Sequence, residues 1–297
     1  MNVNDGTTNA PRIEIQQAWW SMRGLGDGKR EWTIEEKFEK ISEAGYTGIL
    51  GKDLPKSGEV DQWRKLLDKH NFSYGVNALL SNREDFRDFL KQAKSFGVQY
   101  INAQVMDYFV VGDDAIKLIN KLLEEAALAE IPLFIETHRG RITQDLLRTV
   151  EYVQKIKDLR LTIDLSHYVL ASEIRNYDEK YEPYFDDLLK RTSSIHARVS
   201  NGQQIQVDIG PSGEHLMTEH FSRWWENGIT YWLQSAKPGD VLPFVCEIGP
   251  PTYAISRHEY INLQGEELSD RWEQGLLFKK IAEDLWNQVS KKPSKSL

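Results

Sequence analysis

The sequence predicts an α/β fold, a single-domain (β/α)8 (TIM) barrel, and three observations lead there. Short apolar runs alternate eight times with longer amphipathic stretches along 297 residues, a pattern of parallel strands covered by helices. No Pro/Gly/Ser-rich linker divides the chain, and its length suits one barrel with additions. An open doubly wound sheet is the competitor, but no Gly-x-Gly-x-x-Gly follows the first strand. The glycine cluster at 24–29 has the wrong spacing for that fingerprint and for a P-loop. It reads as a flexible loop over the barrel mouth.

The first strand is read at 13–18. Thr33 and Glu36 then make a capping-box pattern, and Ile34, Phe38, Ile41 and Ala44 keep helical spacing up to Gly45. A strand at 46–50 precedes a helix at 60–70, and a third strand spans 72–76. Ser81 with Glu84 reads as the cap of a helix carrying Phe86, Phe89, Leu90 and Ala93, closed by Gly97. Strand four is 98–105, and Ala115, Ile119, Leu122, Leu123 and Ala126 mark its helix. Strands five to eight are read at 131–136, 161–164, 194–199 and 242–247. Their helices fall near 143–156, 184–189, 221–233 and 271–289. The barrel is assigned to 13–290, with flexible segments at 1–12 and 291–297, where composition turns polar.

Composition narrows the function. A formal charge of -8, from 37 basic and 45 acidic residues, disfavours a polyanionic partner such as nucleic acid. Cys246 is the sole cysteine, so an intrachain disulfide and a thiolate zinc site are both excluded. A reducing compartment follows as the simplest expectation. Residues 1–12 lack the apolar stretch of a secretory leader, and no apolar run approaches the ~18 residues that a membrane span needs. A cytoplasmic location with no membrane partner is the expectation. Nine Trp and twelve Tyr suit a sugar-binding cleft, although they suit any core as well.

In barrels of this kind, active-site groups leave the C-terminal ends of the strands. Strand five ends at Glu136, strand six at Asp164, strand seven carries His196, and strand eight ends at Glu247. A carboxylate at the end of an apolar run is costly to bury unless it is paired or bound to a cation. Singly, such a Glu is more often a solvated residue or a cap, and a lone His a satisfied structural group. Four on successive strands form a metal-ligand set. Three carboxylates with one imidazole suit one divalent ion, Mn2+ first, with Mg2+, Co2+ or Zn2+ as alternatives.

His138 and Arg198 each lie two residues beyond a ligand, so strand alternation turns them into the same space, and His167 follows Asp164 by three, within the turn leaving strand six. These three are read as substrate-binding groups, with support of the ligands as the competing role. Trp19, Trp20 and Arg23 leave strand one at the mouth. Asn102 and Gln104 share one face of strand four. Trp19, Trp20, Asn102 and Gln104 are candidates for stacking on and hydrogen-bonding a sugar, with helix packing the rival reading for the tryptophans. Arg139 and Arg141 suit an anionic substrate tail or mere solubility. Cys246 should point away from the site, and His70, His215, His220 and His258 read as surface.

This pattern resembles the xylose isomerase-like barrel superfamily over nearly the whole chain. The most telling stretches are Ile163-Asp-Leu-Ser-His167 and Ile195-His-Ala-Arg198. The group includes sugar and sugar phosphate isomerases, ketose 3-epimerases, inosose dehydratases and endonuclease IV. The resemblance implies that Glu136, Asp164, His196 and Glu247 bind the metal and that His167 lies in the substrate site as a catalytic group. It further implies that Glu136 and Glu247 double as the acid/base pair, and that the chain forms a homodimer or homotetramer. Two departures stand out. The endonuclease branch needs further metal-binding histidines on earlier strands and an Asp-x-His on strand seven, where this chain continues as Arg198-Val-Ser. The residues after His196 also differ from the ketose 3-epimerase pattern, with an insertion at 203–210.

The resulting expectation is a metal-dependent isomerase or epimerase acting on a small sugar by proton abstraction next to a carbonyl. The ion would bind neighbouring carbonyl and hydroxyl oxygens and acidify the C–H between them, and a glutamate would take the proton. A lyase or dehydratase acting on a keto sugar or 3-keto-glycoside is the enzymatic rival. A non-catalytic carbohydrate-binding barrel is the rival of another class.

Overall fold

A computed structural model of the chain describes residues 1–257 and 266–291. His258 and the tail from 292 onward lie outside the described residues. The first half runs β1 (Val3–Asn4), β2 (Arg12–Ala18), α1 (Ile34–Glu43), β3 (Gly48–Gly51), α2 (Val60–His70), β4 (Ser73–Leu80), α3 (Arg83–Phe96), β5 (Tyr100–Val105) and α4 (Gly112–Ala129). It continues as β6 (Leu133–Glu136), α5 (Leu146–Lys155), β7 (Leu161–Ile163), α6 (Ser166–Ala171), α7 (Glu182–Leu189) and β8 (Thr192–Ala197). The last part is α8 (Leu216–Ser235), β9 (Asp240–Cys246), the short antiparallel pair β10 (Ser256–Arg257) and β11 (Glu266–Glu267), and α9 (Arg271–Ser290).

Strands β2 to β9 pair in parallel in chain order, and β9 pairs back onto β2, closing an eight-stranded barrel. Closure buries both faces of the strands, so they read as nearly continuous apolar runs. Outward residues such as Ile135, Ile163, Ile195 and Cys246 join the large core under the helices. Inward residues Ala18, Leu50, Tyr100, Phe134 and Val245 fill the barrel interior. Gly75 is required there, because a Cβ would meet the Tyr100 ring at 2.3 Å. The Tyr100 hydroxyl in turn donates to Gln16 (2.7 Å), which donates to Ser73 (2.9 Å), so these three side chains satisfy one another inside the barrel.

The capping box at Thr33 and Glu36 is present, and Gly97 ends α3 in the left-handed region, with φ 92°. Four expectations need correction. The cap of α3 is Asn82, which accepts from the Asp85 amide; Ser81 lies one residue further out. Residues 1–12 are tied down rather than loose. Val3 and Asn4 pair with Val241 and Asp240, and Asn2 and Asn4 donate to the Asp240 carboxylate. His167 lies in a short helix, α6, and not in a turn. His70 is not a surface residue, because its side chain packs on Phe38 and Phe72. The glycine loop closes on itself, Asp27 accepting from the amides of Lys29 and Arg30. No helix among the described residues is long and apolar enough to cross a membrane.

Candidate metal centre at the barrel mouth

Alternation decides which side chains enter the mouth. Ile135 faces out and Glu136 in; Ile163 out and Asp164 in; Ile195 and Ala197 out, His196 and Arg198 in; Cys246 out and Glu247 in. Glu136, Asp164, His196 and Glu247 each offer one donor atom, all within 4.8 Å of one another. Their exposures are 2%, 0%, 1% and 5%, so these charges are removed from water and need compensation.

Part of that compensation comes from Arg198, whose Nη2 lies 2.8 Å from Glu247 Oε2 and 3.3 Å from Asp164 Oδ2. His196 Nδ1 is 2.9 Å from Glu247 Oε2 and 3.8 Å from Glu136 Oε1. Asn102 (2.7 Å) and Gln104 (3.1 Å) both donate to Glu136 Oε2, and Ser166 donates to Asp164 Oδ1 through its amide and hydroxyl. Three carboxylates thus face one permanent cation, and the two negative charges left over match one divalent ion. His196 Nε2 is buried without a hydrogen-bond partner, and Asp164 Oδ2, beyond its ion pair with Arg198, has none either. Buried, unmatched donors in an oxygen-rich set are what a hard divalent cation requires. The residues fit a metal.

The two glutamates differ sharply. Burial, reinforced by Glu247 and Asp164, pushes the Glu136 carboxyl up to about 7 against the pull of His196. Burial acts the same way on Glu247, but His196 and Arg198 outweigh it and hold that carboxyl down at about 2. Asp164 is raised by burial, and His196 is raised because Glu247, Glu136 and Asp164 outweigh its burial. Burial lowers His138 to about 3 and His167 well below the usual imidazole range.

Both of these histidines are therefore neutral, and their partners set the tautomers. His138 Nδ1 meets the Arg139 carbonyl, so it carries the proton and leaves Nε2 as an acceptor. Arg139 donates to His167 Nδ1 (2.6 Å), so the His167 proton sits on Nε2, 3.5 Å from Asp164 Oδ2. Glu136, His138 and His167 also cluster tightly enough to hold a metal, but a protonated Nε2 on His167 offers no lone pair to one.

A cavity of about 270 Å³ opens beside the cluster. It is lined by Trp20, Gln104, Glu136, His138, Arg198 and Glu247, together with Lys52, Asp53, Asn77, Arg141 and Tyr253. Other residues assigned to substrate lie elsewhere. Trp19 turns onto Phe38 and Trp63, which corrects its reading as a stacking wall. Asn102 is wholly buried behind Glu136, holding it and Asn77. His167 is fully buried beneath His138, ring centroids 3.9 Å apart. Cys246 points outward, its thiol pushed up to about 12 by burial. In the 203–210 insertion, Gln206 bonds both ways with the Gly249 backbone and joins the loops leaving β8 and β9.

Sequence reasoning passed over Lys52, Asp53, Asn77 and Tyr253. Lys52 and Asp53 follow the apolar strand β3 directly, the same signal that found Glu136. Asn77 is in register with Asn102 on the neighbouring strand. Tyr253 carried no signal. It sits in an irregular loop, edge-on to Trp20 at 5.0 Å and under the Arg198 guanidinium at 4.7 Å.

Fold and site together define a (β/α)8 barrel with a cluster at its mouth that can hold a divalent ion. The chain matches the family model of the xylose isomerase-like TIM barrel over residues 38–205, more than half its length, and belongs to that family. Solved structures agree on the fold. A xylose isomerase-like TIM barrel protein from Mycobacterium smegmatis, in complex with magnesium, superposes with a TM-score of 0.60 at 12% identity, covering 93% of this chain and 98% of that one. A probable 3-DHS dehydratase involved in petrobactin synthesis from Bacillus anthracis gives 0.56 at 11% identity, covering 91% and 99%. A 3-keto-D-glucoside 4-epimerase from E. coli gives 0.55 at 12%, covering 92% and 98%. At such identities the likeness concerns the fold alone. No curated protein matches the sequence.

Proposed function

We propose that the chain is a divalent-metal-dependent sugar isomerase or epimerase that moves a proton next to a carbonyl group. The observation that carries this reading is geometric: Glu136 and Glu247 both belong to one cation-competent cluster and both line the cavity beside it, where a bound sugar would meet two carboxylates. Mg2+ or Mn2+ bound by Glu136, Asp164, His196 and Glu247 would supply Lewis-acid polarisation of a carbonyl and its neighbouring hydroxyl.

The chain's own groups do the rest. Asn102 and Gln104 fix one oxygen of Glu136, so its other oxygen is held in one orientation as the proton acceptor. Arg198 and His196 keep Glu247 ionised and in place. His138 Nε2 accepts a substrate hydroxyl proton, since its Nδ1 is occupied. His167 cannot serve as a base while Arg139 holds its Nδ1, so its part is to donate from Nε2. Trp20 and Tyr253 form an aromatic wall suited to the C–H face of a sugar and to excluding water.

The test is a panel of free and phosphorylated aldoses and ketoses, uronates and 3-keto-glycosides with Mn2+ in D2O, followed by NMR. Solvent deuterium at the carbon next to the carbonyl, in product of otherwise unchanged composition, supports the reading. An unsaturated product would assign the chain to the lyases instead. Metal-bound protein that exchanges no proton in any of these sugars would leave a binding barrel.

A further inference from the structure

The metal-competent side chains all come from β6 to β9 and the turns that follow them, yet the cavity extends across the mouth to the other half of the barrel. That wall is built by Lys52 and Asp53 after β3, by Asn77, Ala78 and Leu79 of β4, and by Gln104 of β5, with Arg141 leaning over it. Its charge is unusual. Lys52 stands exposed at the rim with no ion pair to any described residue. Arg141 donates through Nε to Gln104 Oε1 (3.1 Å) and through Nη1 to the Met106 carbonyl (3.3 Å), and no described carboxylate lies within salt-bridge reach of it. The guanidinium is thus held by neutral acceptors while its Nη2 stays uncommitted.

With Arg198 and a divalent ion balancing the three cluster carboxylates, Asp53 is the only acidic group left among the described residues of the cavity lining, against two cations. One positive charge is unmatched, on the wall formed by the residues following β3, those of β4 and β5, and Arg141. Guanidinium and ammonium groups facing a partly dry cleft are suited to charge-assisted hydrogen bonds with carboxylate or phosphate oxygens.

We propose that this wall, through Lys52 and Arg141, is an anion subsite, and that the substrate is a sugar bearing a carboxylate or phosphate at the end remote from its reacting carbonyl. The proposal rests on the reading of the mouth as a sugar site and narrows it to acidic substrates. Gln104 links the two halves: its oxygen accepts from Arg141 and its amide donates to Glu136. An anion on Arg141 is therefore seated one residue away from the proton-accepting carboxylate.

Titration calorimetry on Mg2+-loaded protein with glucose, glucuronate and glucose 6-phosphate tests this directly. At least one anionic sugar should bind about tenfold or more tightly than glucose. Lys52→Met and Arg141→Met should each erase most of that advantage, and Arg141→Lys should restore part of it. Which anion carries the advantage separates carboxylate from phosphate. The subsite is refuted if neither anionic sugar binds better than glucose, or if the advantage survives both substitutions. Should Mg2+ itself fail to bind, the metal reading falls instead. The same comparison on metal-free protein then still decides the anion subsite, because Lys52 and Arg141 stand apart from the ligand set.

Discussion

Glu136 and Glu247 lie on neighbouring sides of one cluster, are both buried, and are the same residue type. Their difference in acidity comes from what each touches: neutral amides on Glu136, an imidazole and a guanidinium on Glu247. A consequence follows for metal binding. An ion that takes Glu136 as a ligand must displace its proton wherever the pH lies below about 7. Affinity for Mg2+ should therefore rise with pH, by up to about tenfold per unit below neutrality, and level off above it. Calorimetry in buffers of different ionisation enthalpy measures both the trend and the proton released. An affinity flat between mildly acidic and neutral pH would contradict the raised pKa of Glu136.

Individual elements were read with different success, for physical reasons. The ligand positions were legible because a period of two carries each apolar run into an inward polar residue at the strand end. Helix starts were less sharply encoded where two good capping residues adjoin. Ser81 and Asn82 are both competent, and the chain uses Asn82. Asn82→Ala should cost about 1 kcal/mol, and Ser81→Ala far less, in the denaturation midpoint. A larger loss for Ser81→Ala than for Asn82→Ala would place the cap one residue earlier. The role of Arg198 was only half legible. Spacing put it in the mouth, but its contact with two of the ligand carboxylates depends on β7 and β9 flanking β8, which one strand cannot reveal. The same applies to Trp19, where the choice between the cavity and a pocket of Phe38 and Trp63 belongs to the helices.

At the scale of the whole molecule, stability and chemistry occupy opposite ends of the barrel. The N-terminal end is plugged by β1, where Val3 joins Val241, Tyr100 and Phe134, and where Asn2 and Asn4 satisfy Asp240. Composition alone marked these residues as loose, because a two-residue strand has no periodicity to detect and its partner lies more than two hundred residues away. Deleting residues 1–10 should lower stability by about 1–2 kcal/mol, judged from one buried Val side chain and its pairing. That is a fall of a few degrees in melting temperature for a chain of this size, about 2–4 °C per kcal/mol. Metal affinity should stay unchanged. A deletion that weakens metal binding as strongly as it lowers melting would show that the two ends are coupled.

The chemistry proposed for the mouth requires one divalent ion held by Glu136, Asp164, His196 and Glu247. Elemental analysis after dialysis against Mg2+ or Mn2+ tests this, with Asp164→Asn compared against the unsubstituted chain. One ion per chain, lost on that substitution while the fold persists by circular dichroism, is the predicted result. An unsubstituted chain that retains no ion, or an ion count unmoved by the loss of the Asp164 carboxylate, would contradict it.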